Sequence, residues 1–266
     1  MYVVAIAELR GDIDAEAAPL AADLAVTAYQ ARLLLAPGTP AVLLTTPDKA
    51  RALDLLARVR ARGHGAVACD LAAVVDSADM VSMRRFRLGA DAVDLEDRPG
   101  ERLPYDDVLA LVAAVHRHRT DTSTRTRETR FSASRAVMTS GLSMTRTIQT
   151  ESHASHEERD AVLYVFRRSG STPWILHEHG TAWAGHGRPL AASAHENFRL
   201  AVAALRELAP GAAHDDRLVT RKAPEQASVQ GGAASTTVRT SSQSGMDLLA
   251  HLVALSAARR EAERPR

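Results

Sequence analysis

The feature that most constrains the fold of this chain is the alternation of short apolar runs with helix-forming stretches between positions 1 and 76. Apolar runs of this length are typical of buried strands, and the stretches between them carry apolar residues at helical spacing. The predicted order is strand, helix, helix, strand, helix, strand, at residues 2–9, 15–25, 27–36, 41–45, 46–62 and 66–69. This order predicts a small α/β domain at residues 1–76.

The third of these helices has the most distinct sequence pattern. Thr46 is expected to cap it and Pro47 to occupy its first helical position, since proline needs no backbone donor there. We expect Leu53, Leu56 and Val59 to form its buried face.

The element order resembles the C-terminal domain of the ribosomal stalk protein and the ClpS-type adaptors. The resemblance covers residues 28–68 and involves small and apolar residues at helical spacing, among them Ala31, Ala50, Leu53 and Leu56. Members of these families bind proteins and do no chemistry, so the resemblance implies a docking role. The Gly- and Lys-rich turn of the stalk domain has no counterpart at residues 24–27, which speaks against recruitment of GTPase factors.

A second, mainly antiparallel β domain is predicted at residues 80–220. Ser193 and Glu196 have capping-box spacing, which predicts an amphipathic helix that closes this domain. The other predicted elements are a hairpin at 83–88 and 92–95, a helix at 107–116, an exposed strand at 122–130, a ribbon at 131–148, and strands at 161–167 and 174–183. The fold class predicted for the whole chain is α+β.

Antiparallel strands closed by one helix resemble the bacterial pleckstrin-homology-like domains. The phrase Leu103-Pro104-Tyr105-Asp106-Asp107-Val108 is similar to the turn that follows the first hairpin in those domains. The segment at about 107–150 interrupts the expected meander. The resemblance implies a binding module rather than an enzyme.

The C-terminal part of the chain is predicted to be a linker followed by a helix. Residues 221–244 are rich in Gly, Ser, Thr, Ala and Gln, which is typical of a flexible linker. Residues 245–262 follow a helical pattern, with Leu248, Leu249 and Leu252 on one face. Two alternatives remain open at this point: the helix packs on its own chain, or it docks on a protein partner or a second subunit.

Two histidines form the strongest candidate for a metal site. His177 and His179 are two positions apart on a predicted strand, so both imidazoles point to one face. With His186 or His195 as a third ligand they would bind a divalent metal, as a metal-dependent enzyme requires. The alternative is that His177 and His179 face solvent and bind nothing. We assign no catalytic and no other cofactor-binding residues.

An arginine-rich segment between Arg117 and Arg146 is the second candidate site. Arg125, Arg127 and Arg130 lie within it, and residues at alternate positions of a strand line one face. Such a face could contact phosphates of a nucleic acid or an acidic protein surface. The alternative is a solvated array of charges that protects a strand edge.

Composition and the lack of targeting or membrane-spanning patterns favour a cytoplasmic protein. The formal net charge is +1, the only cysteine is Cys69, and just two of the 33 basic residues are lysines. Abundant arginine and alanine indicate a bacterial protein from a GC-rich genome. The N-terminus lacks the pattern of a signal peptide, and no apolar run approaches the roughly 20 residues of a membrane span. The lack of a recognisable catalytic motif, the two family resemblances and the C-terminal helix together predict an oligomeric, non-catalytic adaptor or scaffold. Nucleic-acid binding and metal-dependent catalysis are the alternatives.

Overall fold

The computed structural model describes residues 1–131, 145–231 and 235–264, and only the backbone at 125–131, 145–151, 231 and 235–236. The chain is α+β, as predicted. It divides into two compact units: the first comprises Met1–His116, Asp160–Pro224 and Ser242–Arg266, and the second comprises Arg117–Arg159 and Glu225–Ser241. The predicted boundary between residues 76 and 80 therefore falls inside the first unit.

The N-terminal segment from Met1 to Asp70 forms the predicted order of strands and helices. Strand β1 lies in the centre of a sheet of order β2-β1-β3 and pairs antiparallel with both neighbours. The elements are β1 (Tyr2–Glu8), α1 (Ile13–Leu24), α2 (Ala28–Leu35), β2 (Ala41–Thr46), α3 (Lys49–Ala61) and β3 (Gly65–Asp70).

Both faces of this first sheet are covered. Successive side chains of β1 point to opposite faces, so they enter two different cores. Val4 and Ile6 pack in one core with the helices α1–α3. Ala5 and Ala7 belong to a second core on the opposite face. Helix α5, which lies at residues Gln243–Ala262, provides much of that second core.

Helix α3 differs from its prediction at its start and on its buried face. Asp48 is the cap, and its carboxylate accepts hydrogen bonds from the backbone N–H groups of Ala50 and Arg51 over 2.8 and 3.1 Å. Leu53 is 51% exposed, whereas Leu55 is buried. The prediction for Leu53 was wrong because three-residue spacing from Leu56 also fits the rim of a helix face.

The remainder of the first unit contains two further sheets. Strands β5, β6 and β7 form an antiparallel sheet, which confirms the predicted hairpin. Strands β8, β9, β10 and β4 are neighbours in that order, and β11 pairs parallel with β8. Their bounds are β4 (Val81–Ser82), β5 (Phe86–Leu88), β6 (Ala92–Leu95), β7 (Arg102–Pro104), β8 (Val108–Phe131), β9 (Thr145–Arg167), β10 (Trp174–His177) and β11 (Ala213–Leu218).

A helix was predicted at 107–116, but Asp107 ends a 3₁₀ turn and residues 108–116 form the first part of strand β8. Leu111 packs in the core beneath helix α4 (Ala194–Leu208), and Val112 and Ala114 pack in the core beneath α5. A strand buried on both faces shows an unbroken apolar run rather than an alternating one. Such a run does not distinguish a strand from a buried helix.

Helix α4 begins where its capping residues predict. The backbone N–H of Glu196 donates to Oγ of Ser193 over 3.1 Å, and the helix continues to Leu208. Phe198, Ala201 and Leu205 are buried on one face of this helix. The strand predicted at 174–183 ends earlier, since β10 stops at His177 and a short 3₁₀ turn occupies Trp183–His186.

The second unit is a sheet of order β12-β13-β8-β9 in the described part of the chain. Residues 221–244 contain strands β12 (Gln226–Gly231) and β13 (Ser235–Ser241) where a flexible linker was predicted. Strand β13 pairs with β8, from Ser241 opposite His118 to Ser235 opposite Thr124. The composition of the segment could not reveal this pairing, because the partner strand lies far away in sequence.

The C-terminal helix packs on its own chain. Leu249 and Leu252 of α5 are 2% and 0% exposed and belong to the core between the first sheet and the strands β8–β10, with Leu248 partly buried against it. The face predicted to bind a partner is therefore occupied within the chain. Of the helices in the described ranges, none has the length and apolar character that crossing a membrane requires.

Candidate binding groove

An open groove of about 690 Å³ lies in the first unit, between α4 and the sheet that contains β8. Ala113, Val115 and Ala161 of the sheet form its floor, and Val219 also lines it. The volume lies within the range of roughly 300–1,000 Å³ that is usual for ligand-binding pockets. We call this feature the α4 groove.

One face of α4 forms a wall of the groove. His195, Arg199, Val202, Ala203 and Arg206 all line it. Their spacings of three, four and seven residues place them on the same side of a helix. The wall therefore runs for about 16 Å of helix, and within it Val202 and Ala203 separate two arginines that lie about 10 Å apart along the axis.

The charges along this wall are not balanced. Neither Arg199 nor Arg206 forms an ion pair with a carboxylate in the described part of the chain. Glu207, which also lines the groove, is 2.6 Å from Arg188 and is neutralised by it. Asp216 is the other acidic residue of the lining. The groove therefore presents two guanidinium groups available to an anionic ligand.

The two histidines of the predicted metal site bind a carboxylate instead. Nδ1 of His177 lies 2.7 Å from Oδ2 of Asp160, and Nδ1 of His179 lies 3.0 Å from Oδ1 of the same residue. Burial alone would raise the pKa of Asp160, but the hydrogen bonds from both histidines outweigh it and lower the pKa. His179 lies beyond the end of β10, so the shared contact with Asp160, rather than strand alternation, brings the two imidazoles together.

The predicted third ligand, His186, has other partners. Its Nδ1 accepts the backbone N–H of Arg188 over 3.0 Å, so Nε2 carries the proton and faces Oδ1 of Asn197 at 3.3 Å. Both ring nitrogens of this buried side chain are thereby engaged. No group of three or more His, Cys, Asp or Glu side chains in the described part of the chain is arranged to hold a metal ion. A metal site at His177, His179 and His186 stays a prediction.

The side chains of the predicted basic site lie outside those that the structure describes. Arg125, Arg127 and Arg130 lie in β8, where only the backbone is described.

A buried polar chain that the sequence did not predict links three elements of the first unit. His116 on β8 is 2.6 Å from the hydroxyl of Tyr164 on β9, and this hydroxyl donates to Oδ1 of Asp247 on α5 over 2.6 Å. Ser77 donates to Oδ2 of Asp247 through its backbone N–H and its hydroxyl. The signal for this polar chain in the sequence was Asp247, a carboxylate within the otherwise apolar pattern of α5.

These hydrogen bonds form a buried structural network. Burial raises the pKa of Asp247, although hydrogen bonds from Tyr164 and Ser77 oppose the change. Burial also lowers the pKa of His251, whose Nε2 accepts the backbone N–H of Val75 while Nδ1 donates to the carbonyl of Asp247. His251 is therefore neutral, with its proton on Nδ1.

Comparison with known proteins gives no relative. No protein-family model, no curated protein and no solved structure matches the chain. The resemblances to the stalk and ClpS-type domains and to the pleckstrin-homology-like domains stay predictions.

Proposed function

We propose that this protein is a non-catalytic adaptor that binds an extended segment of a partner protein in the α4 groove. The observation that carries the proposal is the combination of an apolar floor with Arg199 and Arg206, which have no carboxylate partner in the described part of the chain. We expect the protein to act in the cytoplasm, as its sequence predicts.

The length of the groove supports an extended peptide as the ligand. The wall runs from His195 to Arg206, which corresponds to about 16 Å of helix. An extended chain advances by about 3.3 Å per residue, so about five residues of a partner would span the same distance.

The chemistry of the lining indicates the composition of that segment. Guanidinium groups bind carboxylates through paired, charge-assisted hydrogen bonds, so Arg199 and Arg206 favour Asp or Glu side chains. Ala113, Val115 and Val202 offer an apolar surface, which favours aliphatic or aromatic side chains between the acidic ones. The ligand expected is a short acidic and apolar segment.

The alternatives from the sequence have less support. Nucleic-acid binding depends on Arg125, Arg127 and Arg130, whose side chains lie outside the described residues. Metal-dependent catalysis depends on His177, His179 and His186, of which the first two contact Asp160 and the third contacts Arg188 and Asn197.

The test is a selection of random linear peptides, displayed on phage, on the immobilised full-length protein. We expect enrichment of peptides that combine acidic with apolar residues. The affinity of a synthetic copy of an enriched peptide is then measured by fluorescence anisotropy. Because a hydrogen bond to a charged group contributes about 1.5–3 kcal/mol, the double variant Arg199→Glu with Arg206→Glu should weaken binding at least roughly tenfold. Ala203→Trp should abolish binding by filling the groove.

Two control variants are available outside the groove. Arg98→Glu reverses an exposed charge in a loop, and Ala57→Trp adds a large side chain to the exposed side of α3. Both should bind the peptide like the natural chain. The proposal fails if no peptide is enriched over the bare support, or if enriched peptides bind the groove variants with unchanged affinity.

A further inference from the structure

The end strand of the second unit, β12 (Gln226–Gly231), has an open edge within the described part of the chain. In the order β12-β13-β8-β9, β13 is its one neighbour among the described strands. Alternate residues of an antiparallel strand direct their N–H and C=O groups to opposite edges. Half of the backbone groups of β12 therefore point away from β13, where water or another extended chain can bind them.

Strand β12 lacks the features that usually protect an open edge. Protein edges are protected by charged side chains, by proline or by bulges. Residues Gln226–Gly231 contain neither a charge nor a proline, and their pairing with β13 runs without a register shift. The side chains from Gln226 to Gln230 are exposed, and Val229 is 66% exposed.

We propose that β12 pairs antiparallel with β12 of a second copy of this chain, related to the first by a two-fold axis. In such a pair, a residue that directs its backbone groups to the partner must face a residue that does the same. Opposite residues therefore differ by an even number of positions. The axis must pass beside one residue and its own counterpart, rather than between two different residues.

Val229 is the residue at that axis. Within the chain, Val229 lies opposite Val238 of β13. Pairing centred on Val229 places the two copies of Val229 next to each other. The row across the joined sheets is then Val238 and Val229 of one copy, followed by Val229 and Val238 of the other. Directly opposite apolar side chains stabilise a sheet, and this register covers the exposed face of both Val229 side chains.

The occupant is a second copy because the edge is complementary to itself. The same register sets Ser228 opposite Gln230 and Ala227 opposite Gly231, so it brings no two like charges together. An edge without charge also provides no electrostatic basis for choosing an unrelated strand. The proposal is independent of the α4 groove, whose residues belong to the first unit.

The first test is the oligomeric state of the full-length chain by sedimentation velocity over a range of concentrations. We expect a reversible dimer. Val229→Lys places two ammonium groups opposite each other and should weaken the dimer by roughly tenfold or more, whereas Val229→Ile should retain it. Val26→Lys, at a position 36% exposed in the first unit, is the matched control and should dimerise like the natural chain.

The second test is the register of the pair. Cβ atoms of directly opposite residues are about 4.5–5.5 Å apart, which is close to the geometry of a disulfide. Under oxidising conditions Val229→Cys should give a covalent dimer on a non-reducing gel. The natural chain, which contains only Cys69, and the offset variant Gln230→Cys should give little. The proposal is overturned by a monomer at every concentration, by a dimer that Val229→Lys leaves intact, or by equal cross-linking of the two cysteine variants.

Discussion

The hydroxyl of Tyr164 donates a hydrogen bond of 2.6 Å to Oδ1 of Asp247, and both side chains are buried. Tyr164 lies on β9 and Asp247 on α5, so this bond fixes the C-terminal helix against the sheet. Burial, together with the neighbouring carboxylate of Asp247, raises the pKa of Tyr164 well above its ordinary value. The hydroxyl therefore keeps its proton and acts as a permanent donor to Asp247.

Removal of this hydroxyl should destabilise the protein. Tyr164→Phe leaves a buried carboxylate with one donor fewer, and an unsatisfied buried group costs about 1–3 kcal/mol. We expect the free energy of unfolding in urea to fall by that amount. Tyr29→Phe, at a position 67% exposed, is the matched control and should be neutral. Equal losses for the two variants would contradict a specific role of the Tyr164 hydroxyl.

The raised pKa of Asp247 predicts a pH dependence of stability. The groups that face its carboxylate are Tyr164, Ser77 and His116, with Asp76 close enough to raise its pKa further. Above the ordinary value of 3.8 the unfolded chain releases the proton of Asp247 while the folded chain still holds it. The stability that this proton contributes is therefore lost as the pH rises through the folded pKa.

Asp247→Asn removes that titration and provides the measurement. The difference in unfolding free energy between the natural chain and the variant should move in favour of the variant as the pH rises from 3.8 through the folded pKa. Urea unfolding at a series of pH values measures this difference. A constant difference across that window would contradict the raised pKa.

A cluster of charged and polar side chains joins α1 to the end of α3. The guanidinium of Arg62 donates to both carboxylate oxygens of Glu16, and Nε2 of His64 lies 2.8 Å from Oε2 of Glu16. Nδ1 of His64 accepts the backbone N–H of Arg10, so the Nε2 proton points to Glu16. Glu16 and His64 are 5% and 4% exposed.

Glu16→Ala should lower the free energy of unfolding by about 1–3 kcal/mol, because His64 and Arg62 each lose a buried acceptor while Arg62 keeps its ion pair with Asp23. Asp14→Ala, on the same helix, removes an exposed partner of Arg32 and should cost at most about 1 kcal/mol. Thermal and urea unfolding compare the two. Similar effects of both substitutions would show that the buried cluster adds nothing beyond a surface ion pair.

The cap of α4 gives a fourth prediction. Ser193→Ala removes the oxygen that accepts the N–H of Glu196, and loss of such a cap costs about 0.5–2 kcal/mol. Ser228→Ala on the exposed strand β12 is the control and should have little effect on urea unfolding. If Ser193→Ala is as stable as the natural chain, the cap does not contribute.

Local signals allowed much of the secondary structure to be predicted. The spacing of Ser193 and Glu196 determines where α4 begins, because a cap depends on residues within one turn. The run at 107–116 misled the prediction because β8 is buried on both faces there. The segment at 221–244 was predicted as a linker because the strand that pairs with β13 is distant in sequence.

The candidate groove could be predicted only in part. The positions of Arg199, Val202 and Arg206 on one face of α4 follow from helical spacing. That this face lies over Ala113 and Ala161 does not, because helix and sheet meet through packing between residues distant in sequence. The histidines illustrate the same limit: β10 ends at His177, and both His177 and His179 contact Asp160, which comes from the neighbouring strand β9.

The sequence by itself determined the α+β class, the order of elements from β1 to β3 and the start of α4, because short-range periodicity and capping specify these. Tertiary structure alone decided that α5 is buried against its own chain, that Asp160 takes the place expected for a metal, and that Asp247 joins Tyr164 and Ser77. Each of these depends on contacts between residues far apart in sequence. Such contacts form only when burial of apolar surface brings whole elements together.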